Sequence, residues 1–572
     1  MKKLMIGNEA VARGLYEGGV EVVSSYPGTP STEITEFLAQ YDDVYSEWAP
    51  NEKVAAEVAF GASLAGARSA CAMKHVGLNV AADPLFTLSY TGVGGGMVIC
   101  VADDPAMHSS QNEQDSRHYA VAAKVPMLEP ADSAECLAYA KEALTLSETY
   151  DTPVLLRLTT RIAHSQSIVE TGERTARVRP PYERKSEKYV MMPGNAKRRH
   201  PIVEERMRAM SELAETSPLN RIEMGGRDCG IITSGASYQY VREALSDSVS
   251  ILKLGMVHPL PTELIRRFAA SVGRVVVIEE LDGVIEAHCN AIGVKVEGKS
   301  IFSPIGEYSQ ATVAAAFGFE EKKHVVLETP VPVRPPMMCA GCPHRGIFYT
   351  LKKQGVTVLG DIGCYTLGAQ PPLSTLDSTL CMGASVSGLH GFNRASEAGV
   401  KSACVIGDST FMHSGITGLV NIAYNGSAST VIILDNSITG MTGHQENPTT
   451  GYNIKGDPAG KVDLEALCRS IGICRVRVVD PYDLAACDAV IAEELAASEP
   501  SVIISRRPCV LLKSVKAKPP VKVDPEKCRG CKRCMALGCP AISFKEKKAH
   551  INDTLCVGCG ICTQLCPFDA IS

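Results

Sequence analysis

A multidomain α/β protein that ends in a small cysteine-dense module is the fold class this sequence predicts. Three observations carry it. Strand, glycine-turn and helix signals follow one another along most of the 572 residues. Glycine is plentiful at 49, while phenylalanine and tryptophan number 12 and 1, a balance that suits tight strand-to-helix turns. Eight of the 22 cysteines crowd into the last 45 residues. A chain of this length exceeds one hydrophobic core, and at about 100 to 200 residues per domain several domains are expected.

The first unit, residues 1–165, opens its case with EVVSSYPGTPSTEITEFL. This reads as a buried strand ending at Tyr26, a Pro-Gly-Thr-Pro turn, and a helix from Ser31 or Thr32 with Glu33 and Glu36 near its positive end. SACAMK, GGMVICVAD and TPVLLRL are further strands, and such repetition implies a mostly parallel sheet covered by helices. Residues 166–227 change character: TGERTARVRPPYERKSEKYVMMPGNAKRRHP is charged and lacks a periodic apolar face, as a surface connection would. A second α/β unit, 228–330, follows from CGIITSGASYQYVREAL, SVSILKLGMVHPLP, GRVVVIEEL and HVVLET. A third, 336–512, begins after a Pro-rich boundary and has strands at TVLGDIG, SACVIGDS, ASTVIILDN, ICRVRVVDPYD and PSVIISR. KSVKAKPPVKVDP is an exposed basic tether to the module at 520–572.

In that module Cys528, Cys531 and Cys534 stand at two-residue gaps, with Cys539 before a proline; Cys556, Cys559, Cys562 and Cys566 repeat the pattern. A CxxCxxC run wraps three thiolates around one [4Fe–4S] cubane, and the fourth cysteine reaches the other cluster. One cluster is therefore expected on Cys528, Cys531, Cys534 and Cys566, the other on Cys556, Cys559, Cys562 and Cys539. Paired zinc knuckles would explain the CxxC gaps but not two runs each closed by Cys-Pro. So short a module buries little apolar surface, and ligation should supply much of its stability. Four residues precede Cys539 where the bacterial run has three, so a local bulge is expected there.

The string CVIGDSTFMHSGITGLVNIAYNGSASTVIILDNSITGMTG places Asp408 after one strand and Asn436 after the next. A carboxylate, an amide oxygen and the carbonyl of Ile438 can converge on Mg²⁺ that also grips a diphosphate, and Gly407 and Gly440 let backbone approach it. Gly-Asp and Asn-Ser pairs also occur in ordinary turns. Glu52 opens an Ala-rich helix after a short strand, where a solvated glutamate is equally common.

The formal charge of −6, from 57 basic and 63 acidic residues, leaves no footprint for nucleic acid. The start shows no secretory pattern and no stretch resembles a membrane span, so a cytoplasmic protein is expected. Without export signals, the cysteines point to metal ligation more than to disulfides.

YPGTPSTE, NEKVAAEVAFGAS, CAGCPHR, DIGCYTLG, GDSTFMHSG, DNSITGMTG and the eight-cysteine tail together resemble the α subunits of indolepyruvate:ferredoxin oxidoreductases, essentially end to end. The resemblance implies thiamine diphosphate-binding parallel-sheet domains, an intermediate transketolase C-terminal-like α/β domain and a bacterial-type two-cluster ferredoxin domain. It implies oxidative decarboxylation of arylpyruvates with coenzyme A, electrons passing to external ferredoxin, and a smaller β subunit in an α2β2 assembly. Glu52 becomes the acid that activates the aminopyrimidine. Asp408, Asn436 and Ile438 become the Mg²⁺ site, with Ser409 where the family signature has glycine, and Gly407 and Gly440 lie beside the diphosphate. Thr29 is placed near the substrate; Lys74, His75, Ser109 and Arg117 are further candidates for the substrate carboxylate. Cys339, Cys342, Cys364 and Cys509 match the pattern of a third, proximal cluster, or are four buried thiols. Another 2-oxoacid in the same reaction, a non-oxidative thiamine lyase and a non-catalytic electron carrier are the rival readings.

Overall fold

The computed structural model describes residues 1–179, 182–319, 327–397 and 399–572. The chain divides into two compact units, Met1–Val326 and Leu327–Ser572.

The larger sheet of the first unit runs, edge to edge, Met256–His258, Met127–Leu128, Val154–Thr159, Met97–Asp103, Ser69–Lys74, Val22–Ser25 and Tyr45–Trp48. Every pairing is parallel except that between Met256–His258 and Met127–Leu128. Met97–Asp103 and Val154–Thr159 are buried at every position, as strands covered on both faces must be. The smaller sheet orders Arg274–Ile278, Cys229–Ser234, Ser250–Leu254 and Arg221–Glu223, the last antiparallel. One core joins the two sheets: Cys71, Met73, Ile99 and Leu155 pack with Ile232, Leu252 and Phe268. Met256–His258, read from sequence as part of the second α/β unit, thus extends the sheet of the first.

Residues 166–227 hold more than a connection. Gln166–Glu170 pairs with Lys2–Ile6, and Pro193–Thr216 is a 24-residue helix. Its polar composition and internal Pro201 mask the helical period. Buried Arg199 and Arg206 hold it, donating to the carbonyls of Tyr90 and Ser89 and pairing with Asp151. Of the expected strand HVVLET, residues 324–326 lie outside the described residues, and Leu327, Glu328 and Thr329 lie in no strand.

The second unit is built on a fully parallel sheet ordered Thr357–Leu359, Ser402–Gly407, Thr430–Asp435, Ser501–Arg506 and Arg475–Val479, the five strands expected from sequence. Strand alternation splits its core. Val405, Ile432, Leu434 and Ile503 pack with Ile347, Phe348 and Ile491 on one face. Cys404, Ile406, Val431, Ile433 and Ile504 pack with Leu389, Phe411 and Leu419 on the other. The cysteine module adds one antiparallel hairpin, Ile542–Lys545 with Lys548–Ile551. Among the described residues, no helix is long and apolar enough to cross a membrane.

Candidate active site and redox centres

Ser402–Gly407 and Thr430–Asp435 lie side by side, so Asp408 and Asn436 emerge together at the carboxyl end of the second sheet. The carboxamide of Asn436 puts one terminal atom 2.8 Å from the Ile438 carbonyl oxygen and 3.2 Å from Asp408 Oδ1. As nitrogen that atom donates to both. As oxygen it completes a trio of oxygens that needs a cation between them, which is how the group fits Mg²⁺. Burial pushes the Asp408 carboxyl up to about 7, and neighbouring Asp435 adds to the rise. Ser409 N–H donates to Asp408 Oδ1 at 2.8 Å, and Thr449 hydroxyl stands 3.4 Å from Oδ2. Thr439 donates to the Ser409 hydroxyl at 3.0 Å, which ties the following loop across the strand ends. A Cβ on Gly407 would come within 2.7 Å of the Tyr365 ring, so this position has room only for glycine. A Cβ on Gly440 would meet nothing closer than Cys364 Sγ at 3.5 Å.

That contact brings the first of four cysteines to the same place. Cys509 N–H donates to the Asn436 carbonyl at 2.9 Å, putting a second one beside the metal loop. Burial raises Cys342 to about 12 and Cys364 to about 11, with smaller contributions from Cys339 and Cys364 on the former and from Cys509 and Cys339 on the latter. Cys509 is raised too, by burial first and then by Cys339 and Asp408. The four thiols therefore act on one another at the sheet end. Buried Asp361 holds the loop that carries Cys364, accepting from the amides of Ile362, Gly383 and Ser385.

In the tail the thiols ring two separate cavities. One is lined by Cys528, Cys531, Cys534 and Cys566, with Arg529 and Lys532 beside them. The other is lined by Cys539, Cys556, Cys559 and Cys562, with Ala340, Gly341 and Arg345 of the CAGCPHR segment on its wall. Among the described residues no three His, Cys, Asp or Glu side chains converge as ligands of a single metal ion. Four thiols around each volume are the number and type of ligand that a [4Fe–4S] cubane takes. The residue preceding Cys539 is Gly538, in the left-handed region at φ +63°, at the end of a 3₁₀ turn over Arg533–Leu537. Burial pushes the Cys562 thiol up to about 12.

In the first unit Glu52 begins the helix Glu52–Leu64, behind an Asn51 cap that accepts from Val54 N–H at 2.9 Å. Its carboxylate is 4% exposed and fills the space over Gly77, where a Cβ would lie 2.6 Å from Oε1. Lys74 ends a neighbouring strand and lays its stem across Gly28 of the YPGTP turn, beside half-buried Thr29. Its ammonium donates to the Ser109 carbonyl at 2.7 Å, and burial lowers it to about 8 against the pull of Asp104 and Glu52. His75 is buried; its Nε2 faces the Asn112 carbonyl at 3.2 Å, and its Nδ1 has no hydrogen-bond partner. Burial lowers its pKa, so the ring is neutral near pH 7.

Three family models match the chain: the thiamine diphosphate-binding domain of pyruvate flavodoxin/ferredoxin oxidoreductases over residues 13–218, the C-terminal TPP-binding domain of thiamine pyrophosphate enzymes over 361–505, and the 4Fe-4S binding domain over 549–572. Indolepyruvate oxidoreductase subunit IorA of Archaeoglobus fulgidus is 41% identical across 100% of this chain and 97% of its own length. The chain belongs to the IorA family. The IorA proteins of Pyrococcus horikoshii and Methanothermobacter marburgensis are 40% and 41% identical over 100% and 99% of this chain, and 96% of each. The family places it among the thiamine diphosphate-dependent 2-oxoacid:ferredoxin oxidoreductases.

Within this IorA-type chain, Arg117 is not placed to meet a substrate. It is 1% exposed and locked to Asp115 at 2.6 Å and to Glu279, in a network that continues through Arg157 to Asp103 and Glu129. Ser109 offers its carbonyl to Lys74 and its amide to Asp104. Thr449, Asp361 and Arg345 are not singled out by sequence: Asp361 and Arg345 lie within DIGCYTLG and CAGCPHR, but their roles run through backbone groups, and that of Thr449 through a contact distant in sequence.

Proposed function

We propose that this chain is the catalytic subunit of a coenzyme A-dependent oxidative decarboxylase of arylpyruvates, indolepyruvate foremost, that passes electrons to ferredoxin and works with a smaller β subunit in an α2β2 assembly. The observation that carries this reading is the meeting of Asp408, Asn436 and Ile438 with Cys364 and Cys509 at one sheet end. A diphosphate-and-metal site without a redox role has no need of thiols against it.

Thiamine diphosphate, when bound, supplies a carbanion and an electron sink for decarboxylation. Asp408, Asn436 and the Ile438 carbonyl hold Mg²⁺, and Gly407 and Gly440 leave the backbone open to the diphosphate. Ser409 fixes the Asp408 carboxylate through its amide. Glu52 would hold a proton for the aminopyrimidine of the bound cofactor, and Gly77 leaves its carboxylate room. Thr29 and His75, with the Lys74 ammonium, orient the 2-oxoacid carboxylate. Cys339, Cys342, Cys364 and Cys509 would hold a proximal cubane, and the eight tail cysteines two more, a reading supported by the two cysteine-lined cavities. The test is anaerobic purification with the β subunit, followed by cluster bleaching across a panel of 2-oxoacids with coenzyme A. Bleaching strongest with indolepyruvate supports the proposal; a fully loaded complex that bleaches with none refutes it.

A further inference from the structure

Arg345 is 3% exposed, and its guanidinium donates to carbonyl oxygens on both sides of a seam. On one side lie Met338 and Cys339 of the CAGC loop, the latter at 3.1 and 3.2 Å. On the other lie Leu537 and Gly538, both at 2.8 Å, immediately before Cys539. Around it stand Cys342 and Cys339 of the loop and Cys539 and Cys559 of the tail, close enough for their charges to act on it. It also lines the cavity ringed by Cys539, Cys556, Cys559 and Cys562. Among the described residues no carboxylate pairs with it. A buried guanidinium cannot shed its proton, and a buried charge without a counter-ion is costly. Carbonyl dipoles solvate the cation; they do not neutralise it. The anions it faces are the thiolates, whose negative charge a bound cubane retains.

The seam around Arg345 is otherwise closely packed. A Cβ on Gly341 would fall 2.2 Å from Val557 Cγ2, and the Tyr482 hydroxyl donates to the Gly341 carbonyl. Gln564 Nε2 donates to the Tyr482 carbonyl at 2.7 Å. The cavity ringed by Cys528, Cys531, Cys534 and Cys566 has no residue of the CAGC loop on its wall. That second cavity is lined by Arg529 and Lys532, both exposed, so the two tail sites differ in that the cation at the first is buried and held by backbone while those at the second are open to solvent screening.

We propose that Arg345 is a positioning residue and built-in counter-cation for the cluster held by Cys539, Cys556, Cys559 and Cys562, raising that cluster's reduction potential. This rests on the two-cubane reading of the tail. Net charge and hydrogen bonds near a cluster set its potential, and removing a cation disfavours the reduced, more negative form. The experiment is a redox titration followed by electron paramagnetic resonance on the anaerobic complex, comparing wild type, Arg345→Lys and Arg345→Gln, with iron counted in each. Arg345→Gln is expected to lower the reduced-to-oxidised ratio of one tail cluster roughly tenfold at fixed potential, equivalent to ~59 mV for a one-electron couple. The other tail cluster should stay unmoved, and Arg345→Lys should stay within about threefold of wild type. Full iron with both tail potentials unchanged in Arg345→Gln would reduce Arg345 to a structural clamp and overturn the proposal. If Arg345→Gln loses iron, Arg345→Lys decides: retention of the wild-type potential supports the charge role, and a tenfold fall in the ratio defeats it. Wild-type complex with too little iron for two tail cubanes would sink the cluster reading itself, a failure that iron analysis registers separately.

Discussion

Gly77→Ala separates stability from chemistry in the first unit. The added Cβ would lie 2.6 Å from Glu52 Oε1, 2.7 Å from its Cγ and 2.9 Å from its Cδ, so the carboxylate must retreat by about 0.8 Å to reach an ordinary contact of 3.4 Å. Gly77 sits inside the helix His75–Val80, where alanine gains about 1 kcal/mol of helix propensity. Overpacking costs about 1–3 kcal/mol, so the net loss of stability is at most about 2 kcal/mol. Misplacing a catalytic group by about 1 Å can cost about 100-fold in rate. The expected result is a folded complex with full iron, a melting temperature lowered by a few degrees and substrate-dependent viologen reduction down about 30- to 100-fold. Glu52→Gln, which removes the acid outright, should fall at least as far. An unchanged rate in Gly77→Ala with intact folding would mean that Glu52 does not act from the place it occupies.

Mg²⁺ with thiamine diphosphate at about 100 times its dissociation constant should stabilise the thiamine-binding part by about 2.7 kcal/mol in a thermal melt. Asp408→Ala should abolish that rise, as should chelation of the metal. Cys509→Ser should remove one cubane's iron while the tail signals persist in electron paramagnetic resonance; iron equal to that of wild type would exclude Cys509 as a ligand. Lys74, lowered to about 8, holds its proton less well folded than unfolded. Between about pH 8 and the ordinary lysine value near 10.4 the unfolded chain binds more protons, so this group makes stability rise with pH across that window. The urea-unfolding difference between wild type and Lys74→Met should therefore shrink by about 1 kcal/mol from pH 7.5 to 9.5, and a constant difference would refute the shifted titration.

Spacing made much of this molecule legible. Val/Ile-rich runs ending in Gly-Asp or Asp-Asn mark the two central strands Ser402–Gly407 and Thr430–Asp435 of the second sheet, because strands buried on both faces are largely apolar. The expected tail partition rests on local reach, three cysteines at two-residue gaps curling round one volume and the fourth reaching the next, and the two cavities are lined by the same two sets of cysteines. Interactions that span the chain left no such trace. Arg117 in a loop looks like a substrate ligand until Glu279, 162 residues away, is found against it. The helix Pro193–Thr216 is held by arginines reaching carbonyls and Asp151, so it needs no apolar stripe to reveal it. Arg345 stands in the CAGCPHR motif, but its five hydrogen bonds go to backbone oxygens, whose lack of residue identity kept its role out of the sequence.

The CAGC loop roofs one tail cavity alone, while Cys531 at the other is exposed. Loaded with iron, the two halves would therefore age unequally in air. Oxidants would reach the outer cubane first and dismantle it, and the inner one, sheltered under the loop, would persist for a time. A preparation handled aerobically should pass through a stage with half the tail's iron, in which electrons leave the thiamine and find no outlet. Activity lost at that stage would return on anaerobic reconstitution without refolding of the α/β part.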